Sequence, residues 1–130
     1  MIGRLDHLVI TVADLEKTKA FYCDVLDMRF EEFGDARYAL HFGSQKLNVH
    51  VVGKELSPRA ELAKPGTADL CFICYVPLEK VEARLKSAGI EILQGPVARS
   101  GATGSITSLY VRDPDLNLIE LSVYDDEKPA

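Results

Sequence analysis

The feature that most constrains this chain is an internal repeat: one order of elements, strand–helix–strand–strand–strand, occurs twice within 130 residues. The first copy opens with the alternating run Leu5-Asp6-His7-Leu8-Val9-Ile10-Thr11-Val12. A helix follows over about 14–26, with Asp14 as its N-cap and Leu15, Thr18, Phe21, Tyr22, Val25 and Leu26 spaced to bury one face. Strands are predicted over about 28–33, 36–42 and 46–52, with turns at Gly34-Asp35 and Gly43-Ser44. The second copy reads as a strand over 68–76, a helix over 78–88 ending at Gly89, and strands over 91–96, 105–112 and 117–124.

The copies match in residues as well as in order. Leu15-Glu16-Lys17 and Leu78-Glu79-Lys80 open the two helices, and Leu47-Asn48-Val49-His50 resembles Asn117-Leu118-Ile119-Glu120 at the two ends. The stretch over 57–66, with Pro58 and Pro65 near its limits and no alternation, reads as a connector with a short helical turn. The predicted fold is therefore α+β: one domain over 1–130 built from modules 1–56 and 66–126. The two tandem βαβββ modules form an open, half-barrel-like curved mixed sheet with the helices outside. Each module alone is too short to bury a sufficient core.

Composition excludes several functions. Lys and Arg number 15 against 20 Asp and Glu, a formal charge of −5, and no basic stripe stands out, so nucleic acid is not the expected partner. No apolar run approaches the roughly 18–20 residues of a membrane span, and no signal-peptide pattern precedes the first strand, so a cytoplasmic location is expected. The three cysteines, Cys23, Cys71 and Cys74, are expected to be reduced. Cys71 and Cys74 lie three apart on a strand, facing opposite ways, which favours buried packing over a joint site.

Strand alternation sorts the polar residues. In the first strand Leu8, Ile10 and Val12 are uniformly apolar and belong under the helix, leaving His7, Val9 and Thr11 on the inner face. The same reasoning turns Lys46, Asn48 and His50 inward, then Asp69, Cys71 and Ile73, then Leu118, Glu120 and Ser122. Two imidazoles and two carboxylates, His7, His50, Asp69 and Glu120, thus fall on inner faces of the first or fourth strand of their modules. Such a set suits one divalent ion, Zn, Ni, Mn or Fe. Glu120 carries most weight, because a carboxylate within Leu118-Ile119-Glu120-Leu121 needs a partner. His41 is assigned a register away from this set. Asn48 and Arg99 are candidate substrate contacts. Arg99 is placed beside a glycine-rich loop, Gly101-Ala102-Thr103-Gly104-Ser105, that reads either as a cover or anion grip or as a plain turn.

These residues resemble the vicinal oxygen chelate superfamily, which includes glyoxalases, bleomycin-resistance proteins and dioxygenases. The likeness is carried by Leu5-Asp6-His7-Leu8-Val9-Ile10-Thr11-Val12, by Asp14-Leu15-Glu16-Lys17-Thr18 with Phe21-Tyr22, and most specifically by Tyr110-Val111-Arg112-Asp113-Pro114-Asp115-Leu116-Asn117-Leu118-Ile119-Glu120-Leu121. Phe42-Gly43-Ser44-Gln45-Lys46-Leu47-Asn48-Val49-His50 brings the chain nearest to glyoxalase-domain-containing proteins. The resemblance implies metal ligands on the first and fourth strands of each half, which falls on His7, His50, Asp69 and Glu120. The ligand types differ from the usual glyoxalase I order, and Leu116 stands where the family usually has Gly.

The resemblance further implies a metal-dependent lyase or isomerase of the lactoylglutathione lyase type. Its expected substrate is an α-ketoaldehyde–thiol adduct such as the hemithioacetal of methylglyoxal with glutathione. Glu120 is the first candidate base and Asp69 the second. Tyr110 is similar to a substrate-contacting tyrosine of fosfomycin-resistance relatives. An extradiol-type dioxygenase, a fosfomycin-resistance-like transferase and a bleomycin-resistance-like binding protein are the alternatives. A homodimer is implied as well.

Overall fold

In a computed structural model the described residues are 1–127. They divide into two compact units, one from Met1 to Ala68 and one beginning at Asp69. The second unit begins just past the connector, three residues after the start assigned to the second module. Among the described residues no helix is long and apolar enough to cross a membrane.

The first unit runs β1 (His7–Val12), α1 (Leu15–Lys19), a π-helical continuation (Ala20–Val25), β2 (Arg29–Phe33), β3 (Arg37–Phe42) and β4 (Gln45–Val51). Its sheet order is β1-β4-β3-β2, with β1 parallel to β4 and the other pairs antiparallel. The second runs β5 (Asp69–Ile73), α2 (Leu78–Ser87), β6 (Gln94–Ser100), β7 (Ser105–Arg112), β8 (Leu118–Tyr124) and a 3₁₀ turn (Asp125–Glu127). Its order, β5-β8-β7-β6, repeats the first. Two open mixed sheets of four strands confirm the α+β reading.

Local chemistry explains the element ends. Asp14 caps α1 by accepting from the Lys17 amide at 3.0 Å, and the Thr18 hydroxyl donates back to the Asp14 carbonyl. The helix then widens, and the Leu26 amide donates to the Phe21 carbonyl five residues back. α2 ends in a Schellman arrangement. Gly89 has φ +73°, its amide donates to Lys86, and the Ile90 amide donates to Leu85.

Each sheet buries one face. Ile10, Val12, Leu40, Leu47 and Val49 are buried in the first unit, together with Phe21 and Tyr22 of its helix. Leu109, Val111, Ile119, Leu121 and Val123 are buried in the second, together with Leu78, Val81 and Leu85 of α2. Ile10, Val12, Leu47, Val49, Ile119, Leu121 and Val123 are among the residues that alternation turned toward the helices, whereas Leu8, Val51, Leu70, Phe72 and Cys74 of the same sets are only half-buried. On the opposite faces His7, Val9, Asp69, Cys71 and Ile73 are exposed, while Thr11, Ala39, Ser108 and Ser122 are buried.

Three expectations change. Strand β6 begins later than predicted and runs on through Arg99 and Ser100, which pair with Ile106 and Ser105. The glycine-rich loop is therefore the tight turn of the β6–β7 hairpin, closed by the Gly101 amide on the Gly104 carbonyl at 2.7 Å. Pro96 is accommodated within β6 because this is an edge strand, with a register shift between Gln94 and Val97. Cys71 is not packed in the core but exposed on the open face, whereas Cys74 is the more enclosed of the two. His41 is not out of register: it lies directly opposite Lys46, which itself lies opposite His7, so all three share one face.

Candidate active site

The open face of the second unit gathers most of the predicted site. Glu120 lies in the middle of β8, between Cys71 on β5 and Tyr110 on β7. The Ser108 hydroxyl donates to Glu120 Oε2 at 2.6 Å, and Ser122 Oγ is 3.4 Å from the same oxygen. Ser108 and Ser122 are wholly buried and 2.7 Å apart. Among the described residues nothing bonds Glu120 Oε1. The carboxylate is thus anchored by one oxygen and presents the other. Sequence reasoning assigned Ser122 to this face but gave neither serine a role. Tyr110–Ser108 alternation on β7 was the signal that would have found Ser108.

Tyr110 and Arg99, both candidate substrate contacts, meet. Arg99 Nε donates to the Tyr110 hydroxyl at 3.0 Å, its Nη1 donates to the Ala98 carbonyl, and the guanidinium lies 5.5 Å from the tyrosine ring centroid. This fixes a cation beside the residue opposite Glu120, with Nη2 left without a partner among the described residues. Gly95 makes the strand approach possible. It has φ +114°, and a Cβ there would collide with the Ser108 carbonyl oxygen. Asp69 is exposed on the same face, pairing with Leu118, two positions from the residue that pairs with Glu120.

In the first unit, His7 Nδ1 bonds Asp6 Oδ2 at 2.9 Å. A carboxylate on one ring nitrogen fixes the imidazole tautomer and orientation and leaves Nε2 for a ligand, as in many metal sites. The hydrogen bond to His7 holds the Asp6 carboxyl below its ordinary range. Asn48 Oδ1 and His50 Nδ1, both on β4, are buried without a hydrogen-bond partner. Buried polar atoms are normally paired, so these two are acceptor or donor groups open to a ligand.

Register separates His7 from His50. His7 pairs with Lys46 and His50 with Thr11, an offset of four residues, or about 13 Å along the strands at ~3.3 Å each. Two donors on one ion of the zinc type lie within about 4 Å of each other, so the first unit does not bring these two histidines together. Asn48 is nearer to His7 in register. Matching β1–β4 to β5–β8, with His7 equivalent to Asp69, makes Asn48 the repeat equivalent of Glu120 and His50 that of Ser122. The alignment by strand ends that matched His50 with Glu120 was two residues out, a slip that preserves the face and so leaves no trace in alternation. Among the described residues no three His, Cys, Asp or Glu side chains cluster as a metal site. The donor chemistry fits a divalent ion unit by unit: a free imidazole nitrogen on His7, and a free carboxylate oxygen on Glu120.

A cleft of about 190 Å³ in the second unit is elsewhere. Pro77, Leu78, Glu79, Pro96, Thr107 and Val123 line it. Val123 and Leu78 belong to the buried helix side of this sheet, so the cleft is on the side away from Glu120.

Comparison with known proteins agrees with the repeat and the strand order. The glyoxalase domain-containing protein RDO1 of Mycosarcoma maydis is 52% identical over 127 residues, covering 98% of this chain and 72% of that protein. The virulence protein STM3117 of Salmonella typhimurium is 50% identical over 124 residues, covering 95% and 86%, and its crystal structure superposes with a TM-score of 0.93 over 95% and 98% of the two chains. An integron cassette protein from the mobile metagenome of V. cholerae has the same TM-score of 0.93 at 50% identity, covering 96% and 98%. Residues 4–121 match a family model that takes in both βαβββ units, and on that match the chain belongs to the Glyoxalase/Bleomycin resistance protein/Dioxygenase superfamily.

Proposed function

We propose that the protein is a divalent-metal-dependent lyase or isomerase of the lactoylglutathione lyase type. Its substrate on this reading is a small α-ketoaldehyde–thiol adduct, such as the hemithioacetal of methylglyoxal and glutathione. The superfamily to which it belongs includes enzymes and small-molecule binders, and its members typically use a divalent metal. The single observation that carries the reading is the state of Glu120, held through Oε2 by buried Ser108 with Oε1 unengaged.

His7 and Glu120 are the first metal ligands in this proposal, with Asp69 as the further candidate, while His50, four residues from His7 in register, is left outside the set. Zn, Ni, Mn and Fe all suit imidazole and carboxylate donors. The bound ion would act as a Lewis acid toward neighbouring substrate oxygens. The side chains supply the rest. Asp6 orients the His7 ring. Glu120, once loosened from the ion, and after it Asp69, would accept the proton from the carbon next to the substrate carbonyl. The Tyr110 hydroxyl, itself accepting from Arg99, is primed to donate to an oxygen that gains negative charge. Arg99 and Asn48 contact the polar parts of the substrate. The protein acts on this reading as a cytoplasmic homodimer.

The deciding experiment is metal quantification of protein purified without chelator, together with a lactoylthiol-forming assay on methylglyoxal and glutathione. Metal bound near one equivalent, lost in His7→Ala and Glu120→Ala, with thiol-dependent product formation, supports the proposal. Metal content unchanged in both variants removes the site. Metal without lactoylthiol formation, but with oxygen uptake on catechols, moves the assignment to the dioxygenase class.

A further inference from the structure

We infer that Cys71, Ser122 and Ser108 form a donor-ordered chain that positions Glu120, holding its Oε2 and leaving Oε1 as the only oxygen available to a ligand. The inference deepens the proposed function and rests on it for the role of Glu120, but its geometry lies wholly within the second unit.

Counting protons gives the order. An ionised carboxylate only accepts, and a serine hydroxyl has one proton to donate. Ser108 gives its proton to Glu120 Oε2 at 2.6 Å, a charge-assisted distance. The 2.7 Å contact between Ser108 and Ser122 is then a donation from Ser122, whose alternative acceptor, Glu120 Oε2, is at the longer 3.4 Å. With that proton committed, the 3.3 Å contact between Cys71 Sγ and Ser122 Oγ must be a donation from the thiol. Every donor in the chain thus points toward Glu120.

The strands enforce this order. Ser108 and Ser122 pair directly across β7–β8, and Tyr110 and Glu120 form the next pair on the same face. Cys71 pairs with Glu120 on the other side, so three adjacent strands each contribute to one row of contacts. Both serines are fully buried, so water does not replace them. A carboxylate pinned at one oxygen loses the freedom to bind an ion through both. Ser108 and Ser122 are positioning residues on this account, and Cys71 is the end of the chain.

Two measurements test it. The first is the S–H stretching band in infrared spectra of the metal-free protein, assigned to Cys71 by difference from Cys71→Ser. A donating thiol has a lowered stretching frequency. Ser122→Ala should return the band to the free position, while Ser108→Ala should leave it lowered, since Ser122 still accepts. The second is Co(II) affinity. Ser108→Ala should weaken it about 10–100-fold, the usual effect of losing a group that orients a ligand, Ser122→Ala should weaken it less, and Ser108→Thr should restore it. A wild-type S–H band already at the free position overturns the chain. So does Co(II) affinity that Ser108→Ala leaves unchanged, provided the variant melts as a folded protein. If the wild type binds no Co(II) while the band shifts as stated, the chain stands and the metal assignment fails.

Discussion

Tyr110 stands directly opposite Glu120 across the β7–β8 ladder, and its hydroxyl accepts a hydrogen bond from Arg99 at 3.0 Å. A carboxylate, a phenol and a guanidinium are thereby ordered along one open face. Arg99 reaches Tyr110 because β6 continues past Pro96, so that an arginine assigned to a loop is in fact on a strand. Removing the guanidinium should weaken binding more than chemistry. Arg99→Ala is expected to raise KM for a glutathione adduct about tenfold, whereas Tyr110→Phe should lower kcat about 10–100-fold. Steady-state kinetics on the hemithioacetal checks both, and equal effects of the two variants on KM alone would deny Tyr110 a part in the reaction.

Gly95 supports Glu120 from a distance. Its φ of +114° is open to glycine, and any Cβ would strike the Ser108 carbonyl oxygen. Gly95→Ala should therefore cost at least about 2 kcal/mol through backbone strain and displacement of β7. Urea denaturation measures the loss. Because Ser108 holds Glu120, metal affinity should fall in parallel, and full stability in this variant would contradict the close approach.

Leu116 occupies the left-handed region at φ +68° and is 68% exposed, in the turn between β7 and β8. A non-glycine residue there is strained by about 1–2 kcal/mol, offset in part by the entropy glycine loses on folding. Leu116→Gly should stabilise the protein by roughly 0.5–1 kcal/mol, read as a higher urea midpoint at unchanged slope. The turn itself is held from below. Buried Asp113 accepts from the amides of Asp115 and Asn117 and from Asn117 Nδ2, all at 2.8–2.9 Å.

That buried pair gives a prediction of opposite sign. Asn117→Ala removes the side-chain donor to Asp113 Oδ2 and leaves that oxygen enclosed, since Asp113 and Asn117 are only 3% and 2% exposed. A loss of about 1–3 kcal/mol is expected by denaturant titration. The turn leads into β8, so Glu120 should be less well held, and metal content should drop with stability.

Burial pushes the Cys74 thiol up to about 11, from an ordinary value of 9.0. A raised value in the folded state means that the folded protein holds the thiol proton more tightly than the unfolded chain does. The resulting stability is complete below pH 9 and is lost as pH rises from about 9 to 11. At most about 3 kcal/mol is at stake. Cys74→Ala should flatten the alkaline limb of the stability curve, whereas Cys23→Ala should leave most of it in place. An identical alkaline limb in Cys74→Ala would refute this account.

The sequence alone was enough to determine the repeat, the element types and the faces of the first and fourth strand of each module. Those properties follow from local periodicity: two residues per repeat in a strand, 3.6 in a helix, and a cap such as Asp14 or Gly89 where a helix begins or ends. His7, Asp69 and Glu120 were legible as inner-face residues for the same reason. Register and pairing were not legible, because a shift of two residues keeps every side chain on its own face. Only the paired sheet shows that His50 is four steps from His7 and corresponds to Ser122, that His41 shares a face with His7, and that Asn48 occupies the place Glu120 has in the other unit. The tertiary structure also decided what surrounds Glu120. Ser108 and Arg99 come from other strands and are brought in by hydrogen-bond ladders between residues more than ten apart in sequence, contacts that no local pattern encodes.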